Sequence, residues 1–210
     1  MLTVRRTANA GVLLELDGVR ILLDGVCREV VPYPVTPQSV KAELMDNPPD
    51  AVVFTHHHPD HYDPAYTAEY EKLTHNKAVD PTFVGSTVQC GVVRIMPVAS
   101  RHIGKFDCAH ASFVLEGSCC VWFMGDASPN QWKNRTDLPK PDVIIAPFAY
   151  ATTDAAWRTT CSLVAKKVVL VHLPEREKDT AGLWNAVEQT IGERDGVFIP
   201  AMEEFIKIDV

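Results

Sequence analysis

No apolar run in this chain approaches the roughly 20 residues that a membrane-spanning helix needs, so no membrane partner is expected. The opening MLTVRRTANAG lacks the apolar stretch of an export signal, which makes the cytoplasm the expected compartment. Basic clusters are scarce as well. Lys and Arg number 20 against 27 Asp and Glu, a formal net charge of −7, whereas phosphate backbones are held chiefly by clustered cations. A nucleic-acid partner is therefore not expected. The only short basic pairs, Arg5-Arg6 and Lys166-Lys167, each sit beside an apolar run and read as solvated strand ends. The six cysteines form no C-x-x-C pair; without an export signal they read as reduced thiols, several packed as small apolar residues. No internal repeat, low-complexity tract or Gly/Ser-rich linker divides the chain, so residues 1–210 read as one domain.

What is present is an ordinary globular balance, 46% hydrophobic and 22% charged, in enough length to bury a substantial core. TVRRT, VLLEL and VRILLD read as strands, and Asp17-Gly18 between the last two is a hairpin signal. A helix is expected with Thr36 as N-cap, Pro37 at its first position, and Val40 and Leu44 on one face. AVVF (51–54) is followed by a helix from Asp63-Pro64 whose face carries Tyr66, Tyr70 and Leu73. GVVRIMPVAS, ASFVLEG and CCVWFMG read as consecutive strands. VIIAPF leads to a helix with Trp157, Cys161 and Val164 on one face, and VVLV (168–171) to another with Leu183, Trp184, Val187 and Ile191. FIKIDV is a last strand. Antiparallel strands followed by alternating β and α elements predict an α/β protein in several layers, its sheets covered by helices.

Five of the apolar runs end in, or one residue before, a side chain suited to bind or support a metal. RILL ends at Asp24, AVVF-Thr at His56, GVVRIMPVAS-Arg at His102, CVWFMG at Asp126 and VVLV at His172. In α/β proteins the ligand crevice lies at the carboxyl ends of the strands, so strands running the same way gather these residues at one edge. One such histidine alone reads as a surface or core-rim residue. Five endings of this kind together do not read as chance.

The densest stretch is His56-x-His58-x-Asp60-His61. Imidazole suits Zn²⁺, Fe²⁺ or Mn²⁺, and a carboxylate adds a hard anionic donor. Alternate residues of an extended turn point the same way, so His56 and His58 can hold one ion while Asp60 and His61 reach a second. His57 faces away by that alternation, and His75, in a polar stretch after a helix, reads as a surface residue. The bland reading is a solvated His-rich tract. A strand stopping at Thr55, Pro59 within the loop and a capped helix after it argue instead for a shaped loop.

THHHPDH resembles the HxHxDH signature of the metallo-β-lactamase fold superfamily. Gly125-Asp126 after an apolar strand resembles its bridging-Asp motif, His172 after VVLV its last His motif, and Asp24 in LLDG its early Asp. The resemblance covers nearly the whole chain in the right order. It implies a four-layer αββα sandwich of two mixed sheets flanked by helices, with a two-metal site at the sheets' edges. It implies that His56, His58 and His102 bind one ion, that Asp60, His61 and His172 bind the other, and that Asp126 bridges them. Asp24 would hold a ligand histidine in orientation. For the third histidine both His102 and His110 are available. The superfamily places it in a post-strand loop with a further strand before the Gly-Asp, which favours His102, although the surrounding residues depart from the common Gly-His-Thr/Ser-x-Gly form.

The resemblance implies a metal-dependent hydrolase with two divalent ions, zinc first and manganese or iron as alternatives. A metal-bridged hydroxide, oriented by Asp60 and Asp126, would attack a small ester, lactone or phosphodiester, with Asp60 shuttling the proton. No Gly-x-Ser-x-Gly motif competes for the nucleophile's role. The chain is barely longer than the core fold, which leaves no expected room for the extra domain of the superfamily's nucleases. The other readings are an iron-dependent oxidoreductase on the same fold and a non-catalytic metal-binding protein. Arg101, Lys105, Tyr33 and Trp157 are in positions that can face a pocket, though each reads first as ordinary surface or core.

Overall fold

The computed structural model describes residues 2–104, 107–133, 135–163 and 166–210. The chain opens with an antiparallel meander, β1 (Leu2–Arg6), β2 (Val12–Leu16) and β3 (Val19–Leu23). Asp17 and Gly18 join the last two with φ of 54° and 79°, the left-handed pair that a two-residue hairpin of the right twist requires. α1 (Gln38–Asp46) leads to β4 (Ala51–Val53), which lies parallel to β3. After α2 (Pro64–Thr74) come β5 (Val88–Cys90), β6 (Val93–Ala99), β7 (Ala111–Glu116) and β8 (Cys120–Phe123), each antiparallel to the next. β9 (Val143–Pro147), α3 (Asp154–Leu163), β10 (Lys167–Val171), α4 (Leu183–Ile191) and β11 (Val197–Phe198) then extend the second sheet in parallel. β12 (Phe205–Ile208) returns to pair antiparallel with β1.

The result is a five-stranded sheet in the order β12-β1-β2-β3-β4 and a seven-stranded sheet in the order β11-β10-β9-β8-β7-β6-β5. The period-2 alternation of the strands builds the layers. Val12, Leu14 and Leu16 join Val121, Phe123, Val143 and Ile145 in the core between the sheets. Leu13, Leu22, Val52 and Phe54 face outward under Val40 and Leu44 of α1 and Tyr66 and Tyr70 of α2. On the far side, Trp122, Ile144 and Ala146 pack with Trp132 and Tyr150. Val168 and Leu170 pack under Trp157 of α3 and Val187 of α4. This is the four-layer αββα sandwich that the motifs imply. β6 is antiparallel to β7 and β7 to β8, so β6, β8 and β10 run the same way and end at one edge.

Several local expectations need correction. Thr36 does not cap α1; its hydroxyl accepts from the Cys27 N–H (3.0 Å) and Pro37 takes the cap position. Leu73 is exposed, because α2 buries only the stripe through Tyr66 and Tyr70. Cys161 is likewise exposed although Trp157 is buried, and Val164 lies outside the described residues. Arg5 and Arg6 are not solvated strand ends. Both are buried, Arg5 against Glu43 and Glu203 and Arg6 among backbone carbonyls. The short strands β5 and β11 were not legible in the apolar pattern. Cys27, Cys90, Cys119 and Cys120 are buried free thiols, in keeping with a packing role. Among the described residues no helix is long and apolar enough to cross a membrane.

Candidate metal centre

The loop that follows β4 folds into a tight turn. The N–H groups of His61 (3.0 Å) and Tyr62 (2.9 Å) both donate to the His58 carbonyl. Asp63 then caps α2 by accepting from the N–H groups of Ala65 (3.0 Å) and Tyr66 (3.3 Å), worth about 1 kcal/mol. The turn brings four of the candidate side chains together, and strand ends supply the rest.

His56, His58 and His102 form one cluster whose ring nitrogens lie within 4.8 Å of one another. Nε2 of His56 is 3.0 Å from Nδ1 of His58. Asp60, His61 and His172 form a second cluster of the same span. There Asp60 Oδ2 is 3.1 Å from His172 Nε2 and 3.8 Å from His61 Nε2. Asp126 joins the two. Its Oδ2 lies 3.4 Å from His102 Nε2, 3.4 Å from His61 Nε2 and 3.5 Å from His172 Nε2.

The outer nitrogens of three of these rings are anchored, so the inner ones are aimed. Asp24 accepts from the Thr55 N–H (2.7 Å), the Thr55 hydroxyl (2.6 Å) and His61 Nδ1 (2.8 Å). With its proton given to Asp24, the Thr55 oxygen accepts from His56 Nδ1 at 3.0 Å. His102 Nδ1 donates to the Ile103 carbonyl at 2.6 Å. Each bond anchors one ring nitrogen and turns the other toward the cluster, the arrangement that orients metal-binding histidines. Backbone strain accompanies it: Asp24 and His172 hold φ of 46° and 67°, in the left-handed region that non-glycine residues avoid.

His110 is not in either cluster. Its Nδ1 meets the Ser100 hydroxyl at 2.7 Å and its Nε2 accepts the N–H of Asp126 at 3.1 Å. Burial pushes it down to about 3, so it is neutral and serves to position the Asp126 backbone. His57 points away toward Asp80 (3.3 Å), and His75 ends α2 on the surface, as alternation and context suggested.

The electrostatics favour a cation among these groups. Burial alone would raise Asp126, but the imidazoles of His172, His61 and His102 hold it well below the usual carboxylate range. Burial opposes a charge on His61 too, yet Asp126 and Asp24 raise it well above its ordinary value. Burial drives His56 down, with His61 adding to it. Nε2 of His61 and Nε2 of His172 are buried and face the Asp60 and Asp126 carboxylates at 3.1–3.8 Å without well-aligned hydrogen bonds. Five imidazoles and two carboxylates with no thiolate match borderline divalent ions such as zinc, manganese or iron. The residues present fit the ions that the motif implies.

A family profile described as the beta-lactamase superfamily domain matches residues 4–172. The chain belongs to that superfamily. No curated protein sequence matches it. Among solved structures, this superfamily member is similar to a possible metal-dependent hydrolase from Veillonella parvula (19% identity, 99% of this chain and 100% of that one, TM-score 0.70). It is also similar to a metallo hydrolase from Ignicoccus hospitalis (16% identity, 100% and 99% covered, TM-score 0.68). A diiron β-hydroxylase from Streptomyces venezuelae shares the fold at 12% identity and TM-score 0.60, this chain covering 54% of it. At these identities the likeness is one of fold.

Asn9, whose amide reaches Asp60, and Thr55, which links Asp24 to His56, carry no clear sequence signal. Thr55 borders the His-rich run, where the sequence pattern marks it only as the end of a strand. Tyr33, read first as surface or core, sets its ring edge-on to His172 with centroids 4.7 Å apart. Of the other pocket candidates, Trp157 is core, Arg101 lines a cleft beside His102, and Lys105 lies outside the described residues.

Proposed function

We propose that this superfamily member is a metal-dependent hydrolase of a small ester, lactone or phosphodiester. In this reading His56, His58 and His102 hold one divalent ion, and Asp60, His61 and His172 hold a second. The observation that carries it is the single oxygen, Asp126 Oδ2, lying 3.4–3.5 Å from imidazole nitrogens of both clusters. Such ions supply Lewis acidity, which polarises the scissile carbonyl or phosphoryl oxygen and acidifies water near neutral pH.

The chain's own groups do the rest. Asp24, through Thr55 to His56 and directly to His61, holds both rings aimed at the clusters. Asp126 spans the clusters and stays ionised. Asp60 is half-buried, and the Asn9 amide donates to its Oδ2 at 3.3 Å, so the carboxylate is steadied where it can take a proton from attacking water and return it to the leaving group. Beside His102 opens a cleft of about 460 Å³ lined by Ser100, Arg101, Ile103 and Ser128, in the range for a small metabolite. The net charge of −7 supports a small-molecule substrate over nucleic acid.

The test is hydrolysis by zinc- or manganese-loaded protein of bis-nitrophenyl phosphate and a panel of simple esters and lactones. His58→Ala is expected to lower the rate by about a hundredfold or more. Undiminished activity in that variant would sink the assignment. An all-nitrogen and oxygen donor set also suits iron, and the diiron β-hydroxylase shows that this fold can frame oxygen chemistry in another protein. Iron found by elemental analysis together with oxygen consumption would favour that second reading; zinc or manganese without oxygen uptake would exclude it.

A further inference from the structure

Arg6 is a buried cation with no carboxylate partner among the described residues. Its guanidinium donates instead to four backbone carbonyls. Nε reaches Ala8 (3.2 Å) and Nη1 reaches Pro200 (3.2 Å), while Nη2 is shared between Asn9 (3.1 Å) and Leu173 (3.2 Å). Burial pushes the group down to about 10, so it remains charged at neutral pH. A buried charge is retained only where its donors are satisfied, and charge-assisted bonds are roughly twice as strong as neutral ones. The guanidinium thus pins the loop after β1 to the segment after β10.

Both pinned segments lead to the second cluster. The Asn9 carbonyl that accepts from Arg6 also accepts the N–H of His172 at 3.0 Å. The Asn9 side chain donates to Asp60 Oδ2 at 3.3 Å, the oxygen that lies 3.1 Å from His172 Nε2. One residue therefore ties Asp60, from the first sheet's loop, to His172, from the second sheet. The first cluster is held by other bonds, His56 through Thr55 and His102 through Ile103.

We propose that Arg6 and Asn9 are positioning residues for the second ion: a clamp that sets the Asp60–His172 geometry and leaves the affinity for the first ion untouched. The proposal rests on the two-ion reading above. Without the clamp, Asp60 and His172 keep their chemistry and lose their relative placement, and supporting groups of this kind are worth about 10–100-fold in metal affinity.

The experiment counts zinc ions per chain at graded free zinc for the full-length wild type, Asn9→Ala, Arg6→Lys and Arg6→Gln. Arg5→Gln serves as a control, because Arg5 is equally buried but bonds to Glu43 and Glu203. Long-range ¹⁵N correlation spectra of the imidazoles report which rings respond. Asn9→Ala and Arg6→Gln are expected to bind the second ion at least about tenfold more weakly and the first at wild-type strength. The Nε2 shifts of His61 and His172 should change while those of His56 and His102 hold. Arg6→Lys should restore part of the loss. If Arg6→Gln does not fold, Asn9→Ala carries the test, since it leaves every backbone bond in place. Variants that keep both ions, or weaken both equally, overturn the clamp alone. Wild-type protein that takes up fewer than two ions overturns the two-ion reading and the clamp with it.

Discussion

Oδ2 of Asp24 lies 2.8 Å from Nδ1 of His61, with both side chains sealed from solvent. The same carboxylate takes both donors of Thr55, whose oxygen in turn accepts from His56. One buried acid therefore orients an imidazole in each cluster.

Asp24→Asn keeps the shape and removes the charge. The amide presents a donor where three donors already converge, so one of the rings must change tautomer. Breaking a buried pair in this way costs about 3–5 kcal/mol. Urea unfolding is expected to register that loss, and metal titration an affinity about 10–100-fold lower. A variant of full stability with wild-type metal content would show that Asp24 only fills space.

His102 and His110 are separable by a pair of substitutions. His102→Ala is expected to lose an ion, because it removes a nitrogen that faces both His58 and Asp126. His110→Ala is expected to keep both ions while costing about 1–3 kcal/mol, since it strands the N–H of Asp126. Elemental analysis and thermal unfolding of both variants check this. Loss of metal from His110→Ala alone would reverse the assignment.

Gly125 has φ of 53°, and a Cβ there would come within 2.5 Å of the Thr55 side chain. Thr55 is held by Asp24 and has little room to move. Gly125→Ala is therefore expected to destabilise the protein by about 2–4 kcal/mol, combining backbone strain with overpacking. The adjacent Asp126 should shift with it and lower activity. Unchanged stability in chemical denaturation would mean that the strand-end turn relaxes freely.

Burial raises the Cys120 thiol up to about 12, with Glu116 and Asp142 adding to it. Between its unfolded value near 9 and that figure, the folded protein holds a proton that the unfolded chain releases. Stability therefore falls as pH rises through this window, by at most about 1.4 kcal/mol per pH unit for one group. Cys120→Ala should flatten the fall between pH 9 and 11. An equal slope in both proteins would count against the thiol.

The legible parts of this molecule were those with a repeating or local signal. Alternating and continuous apolar runs marked ten of the strands, and Asp17-Gly18 and Asp63-Pro64 marked a hairpin and a helix start. Residue type at strand ends marked Asp24, His56, His102, Asp126 and His172, the His-rich loop added His58, Asp60 and His61, and the structure brings these side chains together. The short β5 and β11 have too few residues for periodicity to show. Leu73 and Cys161 misled because an apolar side chain at helical spacing looks the same whether the helix face turns inward or out.

The sequence by itself determined the layered α/β architecture and the supply of imidazole and carboxylate groups at strand ends and in one loop, because those depend on side-chain type and spacing along the chain. Only the tertiary structure separates His102, which sits beside His56, His58 and Asp126, from His110, whose two ring nitrogens meet Ser100 and the Asp126 N–H. It alone brought Asn9 to Asp60 and His172, and it alone turned Arg6 from an apparent strand-end charge into a buried tie. The partners of Arg6 are carbonyls of residues 8, 9, 173 and 200. Every residue carries such a carbonyl, so nothing short of the folded path of the chain distinguishes the ones that matter.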